Sequence, residues 1–301
     1  MNYEQFEQEL KFNLLNNNAK KLIYKLAEAP YRFISLLSPL NFKTKLEQAF
    51  YRSQENKYYK YLSNFAINIF AESTYEIAEN RVSVSKLIPN SDQQYEILNA
   101  KFTFSFKDEN AKSYYFIKQR KRDTYSANEA IKIWDKFLFD IELAKQKYQD
   151  YKIIGILWFT DSEFKNNQTY YNSGSNVENE SQTNISAKYG YELFQDFGLH
   201  EKWIEVELHL EKFKRQNYDD FLEFPDLDKD PEALEALIEL SKSAWEKLNS
   251  PMPVYMAIRS AIFNEADENS NLFKALKLRD IKENMVDEDE LKLAIMKMQN
   301  N

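Results

Sequence analysis

Between Ser113 and Lys121 the chain reads Ser-Tyr-Tyr-Phe-Ile-Lys-Gln-Arg-Lys (SYYFIKQRK), and the fold turns on how this stretch is taken. Its first half is apolar or aromatic on both faces of an extended strand, which suits a central strand covered on both sides. Its second half is basic. Just upstream, Lys107-Asp108-Glu109-Asn110 supplies a polar turn, and Phe102, Phe104 and Phe106 recur at period two. Further upstream Val82 and Val84 alternate with polar residues, with Leu87 closing the run, and Gln94, Glu96 and Leu98 alternate with Tyr95, Ile97 and Asn99. Arg81 to Lys121 is therefore expected to be a meander of strands in one sheet. Downstream, Ser126 is positioned as a helix cap, and Ile131, Trp134, Leu138, Ile141 and Lys145 define a face of a helix from Ala127 to Tyr148. Ile153 to Phe159 (IIGILWF) is a short apolar run between polar residues, expected to be a buried strand of the same sheet.

The flanks read differently. Leu22, Ile23, Leu26 and Ala27 follow Asn18 at helical spacing and stop before Pro30, and Leu62, Phe65, Ala66 and Ile69 form a second stripe. Asn166 to Asn184 is a polar stretch read as a loop. From Tyr189 onward the pattern is mainly helical, with breaks near Gly198, Pro225, Pro231 and Pro251. The expected fold class is α/β: a mixed central sheet flanked by helices, with helical N- and C-terminal additions. The corresponding division is a helical region over 1–80, an α/β core over 81–200 and a mainly helical region over 201–301.

Composition narrows the chemistry. The chain has 301 residues, 43% hydrophobic and 29% charged, which is enough apolar material for one or two folded domains. It has no cysteine, so thiolate chemistry and disulfides are excluded, and only His200 and His209, nine residues apart on a predicted helix, too far to share a zinc ion. No glycine precedes Gly155, so no Gly-rich phosphate loop exists. No apolar stretch approaches the ~20 residues of a membrane span, and the opening MNYEQFEQEL carries no apolar signal run. The expectation is a cytoplasmic protein that does not enter a membrane. Net charge is −8, yet Lys101 to Tyr125 holds seven basic and three acidic residues, while Asn217 to Leu240 carries nine acids and one lysine. A mildly acidic protein with such a segment can still present a basic surface to a polyanion.

The run Tyr114 to Asp123 (YYFIKQRKRD), followed by a long helix and the strand ending Trp158-Phe159-Thr160-Asp161, resembles a group of type II restriction endonucleases. Tyr189-Gly190-Tyr191-Glu192-Leu193-Phe194, then Pro225-Asp226-Leu227-Asp228, and the opening Lys20 to Phe33 (KKLIYKLAEAPYRF) are similar to further segments of that family, in the same order. The resemblance spans nearly the whole chain. It implies the PD-(D/E)xK nuclease core, in which an Asp and a Glu hold Mg²⁺ and a lysine two residues after the Glu orients or activates water. The ion stabilises charge on the phosphate oxygens and lowers the pKa of a bound water. It further implies double-stranded DNA as substrate, a homodimer, and functional pairing with a DNA methyltransferase.

Carried over residue by residue, Asp92 falls where the family's first acid precedes the hairpin and is the expected metal ligand. Lys118 and Arg120 stand where Glu and Lys are found, and a cation in place of a carboxylate opposes Mg²⁺ binding. Gln119 and Lys121 offer a Gln-x-Lys alternative, on the opposite face of the strand unless a bulge intervenes. The helix Glu that many such nucleases place beside the site falls at Ser63 or Asn64. Glu129, in the first turn of the following helix, is a substitute second carboxylate, or else an acid favoured there by the helix dipole. The candidate catalytic set is thus Asp92, Lys118, Gln119, Lys121 and Glu129, with Arg120, Arg122 and Lys112 as DNA contacts. The functional expectation is a sequence-specific, Mg²⁺-dependent endonuclease of a restriction-modification system. The alternatives are a nuclease-like protein that binds DNA or a protein partner without cutting, and an unrelated interaction protein.

Overall fold

The computed structural model describes residues 2–35, 37–87, 95–173, 183–217 and 221–284. It divides into two units, Met1–Tyr58 with Asn217–Asn301, and Tyr59–Gln216. This differs from the three-part linear division: the first unit is made from both ends of the chain, and its two borders fall inside helices, after Tyr58 and before Asn217. In chain order the elements begin with α1 (Tyr3–Leu15), α2 (Asn18–Glu28), α3 (Phe42–Ala71) and β1 (Glu76–Ile77). Then come β2 (Arg81–Leu87), β3 (Tyr95–Lys101), β4 (Phe104–Asp108), β5 (Ser113–Arg120), α4 (Ala127–Lys147), β6 (Lys152–Phe159), α5 (Gln168–Ser173) and β7 (Thr183–Tyr189). The last are α6 (Glu192–Gln195), α7 (His200–Asn217), α8 (Pro231–Glu239), α9 (Lys242–Leu248), α10 (Pro253–Ile262) and α11 (Asn271–Asn284). No helix among the described residues is long and apolar enough to cross a membrane.

In the Tyr59–Gln216 unit, the described residues form a five-stranded mixed sheet in the order β1-β4-β5-β6-β7. β1, β4 and β5 run antiparallel, whereas β5, β6 and β7 are parallel. β5 is the middle strand, as its two apolar faces require. Parallel pairing needs a crossover, which α4 supplies between β5 and β6. The helix starts at a capping box in which Ser126 and Glu129 satisfy each other's donors. Its buried stripe is Ala130, Trp134, Phe137, Ile141 and Ala144. That stripe is rotated from the expected face, because Ile131 and Leu138 are exposed. Gly155 of β6 lets α4 come close: a Cβ there would lie 2.7 Å from Ile141 Cδ1.

The other face of the sheet is covered by the end of α3 together with α6 and α7. Phe70 of α3 stacks on Phe106 at 4.2 Å and on Phe194 at 5.5 Å, and Trp158 meets Trp203 edge-on at 5.2 Å. Two expectations need correction. The Arg81–Lys121 segment is not one sheet: β2 and β3 form a separate two-stranded ribbon, paired from Arg81↔Lys101 to Leu87↔Tyr95. The chain breaks strand at Phe102 and Thr103. Phe102 N donates to Asn80 O (2.9 Å), and Thr103 N then turns to Ile117 O (2.8 Å). Hence Phe102 packs with the α4 cluster, while Phe104 contacts Phe70 on the opposite face. Second, the stretch read as a polar loop contains α5 and enters β7, a strand the polar composition concealed.

The other unit is helical. Leu22, Ile23, Leu26 and Ala27 of α2 share one core with Ala233, Leu234, Ala236 and Leu237 of α8. Asp230 caps α8 by accepting from Glu232 N at 2.8 Å, with Pro231 at the first helical position. Asp228, one of the acids of the Pro225–Asp228 segment, is buried and serves structure. It accepts from Ser270 Oγ (2.5 Å), Asn264 N (3.0 Å) and Asn271 N (3.2 Å).

Candidate functional site

The end of β5 presents four consecutive polar side chains, and strand alternation sends them to opposite faces. Gln119 and Lys121 turn toward α3. Gln119 Nε2 donates to Tyr59 O at 3.3 Å, and its Oε1 sits against Ser63 Oγ. Ser63 Oγ also lies 2.8 Å from Tyr59 O, so its single proton serves one of two acceptors at a time. Gln119 N donates to Thr103 Oγ1 at 2.8 Å, which ties in the start of β4. Lys121 Nζ lies 5.1 Å over the Tyr59 ring, a cation–π contact. Ser63, Thr103, Gln119 and Lys121 thus converge where helix, hairpin strand and motif strand meet. A half-buried strand end between two elements is a place where a phosphate or base could be held.

Lys118 and Arg120 take the other face. Lys118 Nζ donates to Lys101 O at 2.5 Å and to Asp140 Oδ2 at 3.2 Å. Asp140 is 1% exposed and also has Lys136 Nζ 2.9 Å from Oδ1. Lys118 therefore fastens β5 to the ribbon base and to α4, and its charge is internally matched. Arg120 is partly buried, and its Nε meets no partner among the described residues. Beyond it, Asp123 is fully buried and accepts from Asn167 N (2.7 Å), Asn167 Nδ2 (2.7 Å) and Tyr189 OH (3.0 Å). Burial, with the charge of Asp123 beside it, pushes the Tyr189 and Tyr171 hydroxyls well above the ordinary phenol range. This carboxylate clasps the strand ends β5 and β7 to the Asn167 loop.

The remaining candidates separate. Asp92 lies outside the described residues. Glu129 is not directed to the β5 end as a second carboxylate. Its Oε2 accepts from Ser126 N (3.0 Å) and Ser126 Oγ (2.7 Å), which holds its pKa below the usual carboxylate value. Lys112 is not brought to this group either: it sits in a left-handed turn (φ 47°) before the opposite end of β5 and pairs with Glu109 at 2.9 Å. Arg122 is exposed, 3.8 Å from Asp161 and over the Phe164 ring.

Sequence reasoning missed Thr103, Asp140 and the burial of Asp123. Thr103 was legible as the polar residue interrupting the Phe102–Phe106 run; Asp140 and Asp123 carried no local signal, since both look like surface acids. The described donors at the β5 end do not by themselves fit Mg²⁺. Ser63, Thr103 and Gln119 supply neutral oxygens and Lys121 a positive charge, whereas Mg²⁺ calls for carboxylates. Among the described residues no group of three or more His, Asp or Glu is placed to hold a metal ion. No protein-family model matches the chain, and neither a curated protein nor a solved structure is found to be similar to it.

Proposed function

We propose that this chain is a restriction-endonuclease-like protein that binds double-stranded DNA without metal-dependent cleavage at the β5 end. The observation that carries the reading is the convergence of Ser63, Thr103, Gln119 and Lys121. The order α3, β1, β4, β5, α4, β6, with β5 antiparallel to β4 and parallel to β6, supports a nuclease-like core. In such a core the helix acid, the first acid and the Glu-x-Lys pair meet at one point. Ser63 stands where the resemblance sets the helix acid, Gln119 takes the Glu place in the Gln-x-Lys alternative and Lys121 keeps the lysine. Thr103 lies beside them as a third neutral hydrogen-bonding group. Asp92, the first acid of the resemblance, lies outside the described residues. A neutral amide and hydroxyls neither concentrate a divalent ion nor activate a water, but they hydrogen-bond well to phosphate oxygens and bases.

The retained spacing of Gln119 and Lys121 on one face favours a second reading, the Mg²⁺-dependent type II endonuclease. In that reading Asp92 supplies the missing acid, the protein is a homodimer and a methyltransferase protects the host DNA. One experiment separates the two. Bacteriophage DNA is incubated with the protein and Mg²⁺, then Mn²⁺, while anisotropy follows binding to a labelled duplex. Binding without fragments is the expected result. Site-specific fragments that vanish in Asp92→Ala would establish the endonuclease, and absence of duplex binding even at low salt would sink both readings.

A further inference from the structure

The cations of the Lys101–Tyr125 segment are largely used inside the molecule. Lys107 pairs with Glu109 (2.7 Å) and Glu76 (3.2 Å), Lys112 with Glu109, and Lys118 with Asp140. The ribbon differs. Arg81 and Lys101 are exposed and directly opposite each other at its base, and neither side chain has an ion pair among the described residues. Like charges facing across a strand pair repel, so this pair costs the fold stability and gains nothing from within it.

From that base the outer face continues as Ser83↔Asn99, Ser85↔Ile97 and Leu87↔Tyr95, all exposed. Ser83 Oγ donates to Asn99 Oδ1 at 2.7 Å, and the exposed Asn99 amide makes one long bond, Nδ2 to Ile97 O at 3.4 Å. Tyr95 and Ile97 are 65% and 64% exposed. The inner face is buried in the α4 core at Val82 and Ala100 and half-buried at Val84 and Leu98, with Lys86 and Glu96 exposed beyond them. The base of the ribbon is thus held in place while its outer face is exposed along its whole length. Its seven pairs span roughly 20 Å at about 3.3 Å per residue. Two strands with side chains are about 10 Å across, inside the ~12 Å major groove of B-form DNA.

We infer that the outer face of the β2–β3 ribbon enters the major groove of duplex DNA. Arg81 and Lys101 meet the phosphates at the groove edge, and Ser83, Ser85 and Asn99 face the base edges. Ile97, Leu87 and Tyr95 supply apolar contact of the kind a thymine methyl accepts. The inference rests on the proposed DNA binding and assigns it to the outer face of the ribbon rather than to the basic β5 end. The chemistry also sets a polarity of choice: A-form RNA has a deep, narrow major groove that side chains do not read, so a ribbon reader prefers DNA.

The test measures anisotropy of a labelled 30-base-pair DNA duplex with the full chain from low to physiological salt. Arg81→Ala with Lys101→Ala is compared with the charge-keeping pair Arg81→Lys with Lys101→Arg, and RNA duplex of the same sequence serves as competitor. The expected result is tenfold or greater loss of affinity in the alanine pair and a salt slope lower by about 2, at ~0.9 for each phosphate no longer neutralised. The charge-keeping pair retains binding, and RNA competes poorly. Wild-type binding that the alanine pair leaves unchanged in affinity and slope, or RNA competing as well as DNA, overturns the ribbon assignment while the DNA-binding function stands. No duplex binding by the wild type overturns both. A dimer that disappears in Tyr95→Ser with Ile97→Ser, with DNA binding intact, would assign the face to a second copy instead and also overturn it.

Discussion

The end of β5 and the base of the β2–β3 ribbon carry the same kind of charge and treat it in opposite ways. Lys118 reaches a buried carboxylate, Asp140, and a carbonyl of the ribbon, Lys101 O. Arg81 and Lys101, within reach of the same junction, face each other with no ion-pair partner among the described residues. A lysine at a strand end is therefore no evidence of a phosphate contact until its counter-charge has been sought. By that criterion Lys118 is structural, while Arg81 and Lys101 carry charge unmatched among the described residues.

The comparison breaks most readily at Asp140. Its removal leaves Lys118 half-buried and unpaired, and Asp140→Ala should cost about 3 kcal/mol, read from the urea midpoint at constant slope. A loss below about 1 kcal/mol would mean that Lys118 is free to turn outward, away from Asp140. A sharper version rebuilds the missing acids. Thr103→Asp with Gln119→Glu should create divalent-ion affinity at the β5 end, and metal at ten times its Kd would then stabilise the variant by about 1.4 kcal/mol. Wild type should show no such rise in melting temperature, and a rise in wild type would contradict the neutral-donor reading.

At the far end of β5, Lys107, Lys112 and Tyr151 hold Glu109 down to about 2. Its folded pKa lies below the unfolded value, so its contribution is present above pH ~4.5 and disappears as pH falls toward 2. Glu109→Gln should flatten the acid-unfolding limb in that window, lowering stability in the neutral range and leaving it unchanged near pH 2. The smallest effect belongs to the ribbon: Arg81→Ala with Lys101→Ala should leave stability unchanged or raise it by a few tenths of a kcal/mol, since it relieves repulsion. Measurable destabilisation would show that these cations are anchored after all.

What was legible in the sequence follows from how local the information is. SYYFIKQRK announced a central strand because burial on both faces is written into its first half, and Ser126 with Glu129 spelled a helix start within four positions. Alternation placed Gln119 and Lys121 opposite Lys118 and Arg120 without any tertiary knowledge. The ribbon was misjoined to the sheet because Phe102 and Phe104 continue a period-two pattern across a point where the backbone changes partners. β7 was missed because its signal, Ile185 and Ala187 among Asn, Ser and Lys, is too sparse to stand out from the polar stretch before it. The buried acids Asp123 and Asp140 depend on partners 44 and 22 residues away, and no window of neighbours encodes such pairs.

The hydrogen bonds at Asn80 have a consequence for how this fold can vary. Phe102 N donates to Asn80 O, and Asn80 Nδ2 donates to the carbonyls of Phe102 and Thr103 at 3.2 and 3.1 Å. The excursion from residue 81 to 101 is thus pinched shut at its neck, and the sheet on the far side does not register its length. Doubling a flexible loop beyond such a closure costs only about 0.6 kcal/mol. Lineages could lengthen, shorten or re-letter this arm almost without charge to the scaffold, and so diversify what it touches while the layers beneath stay fixed.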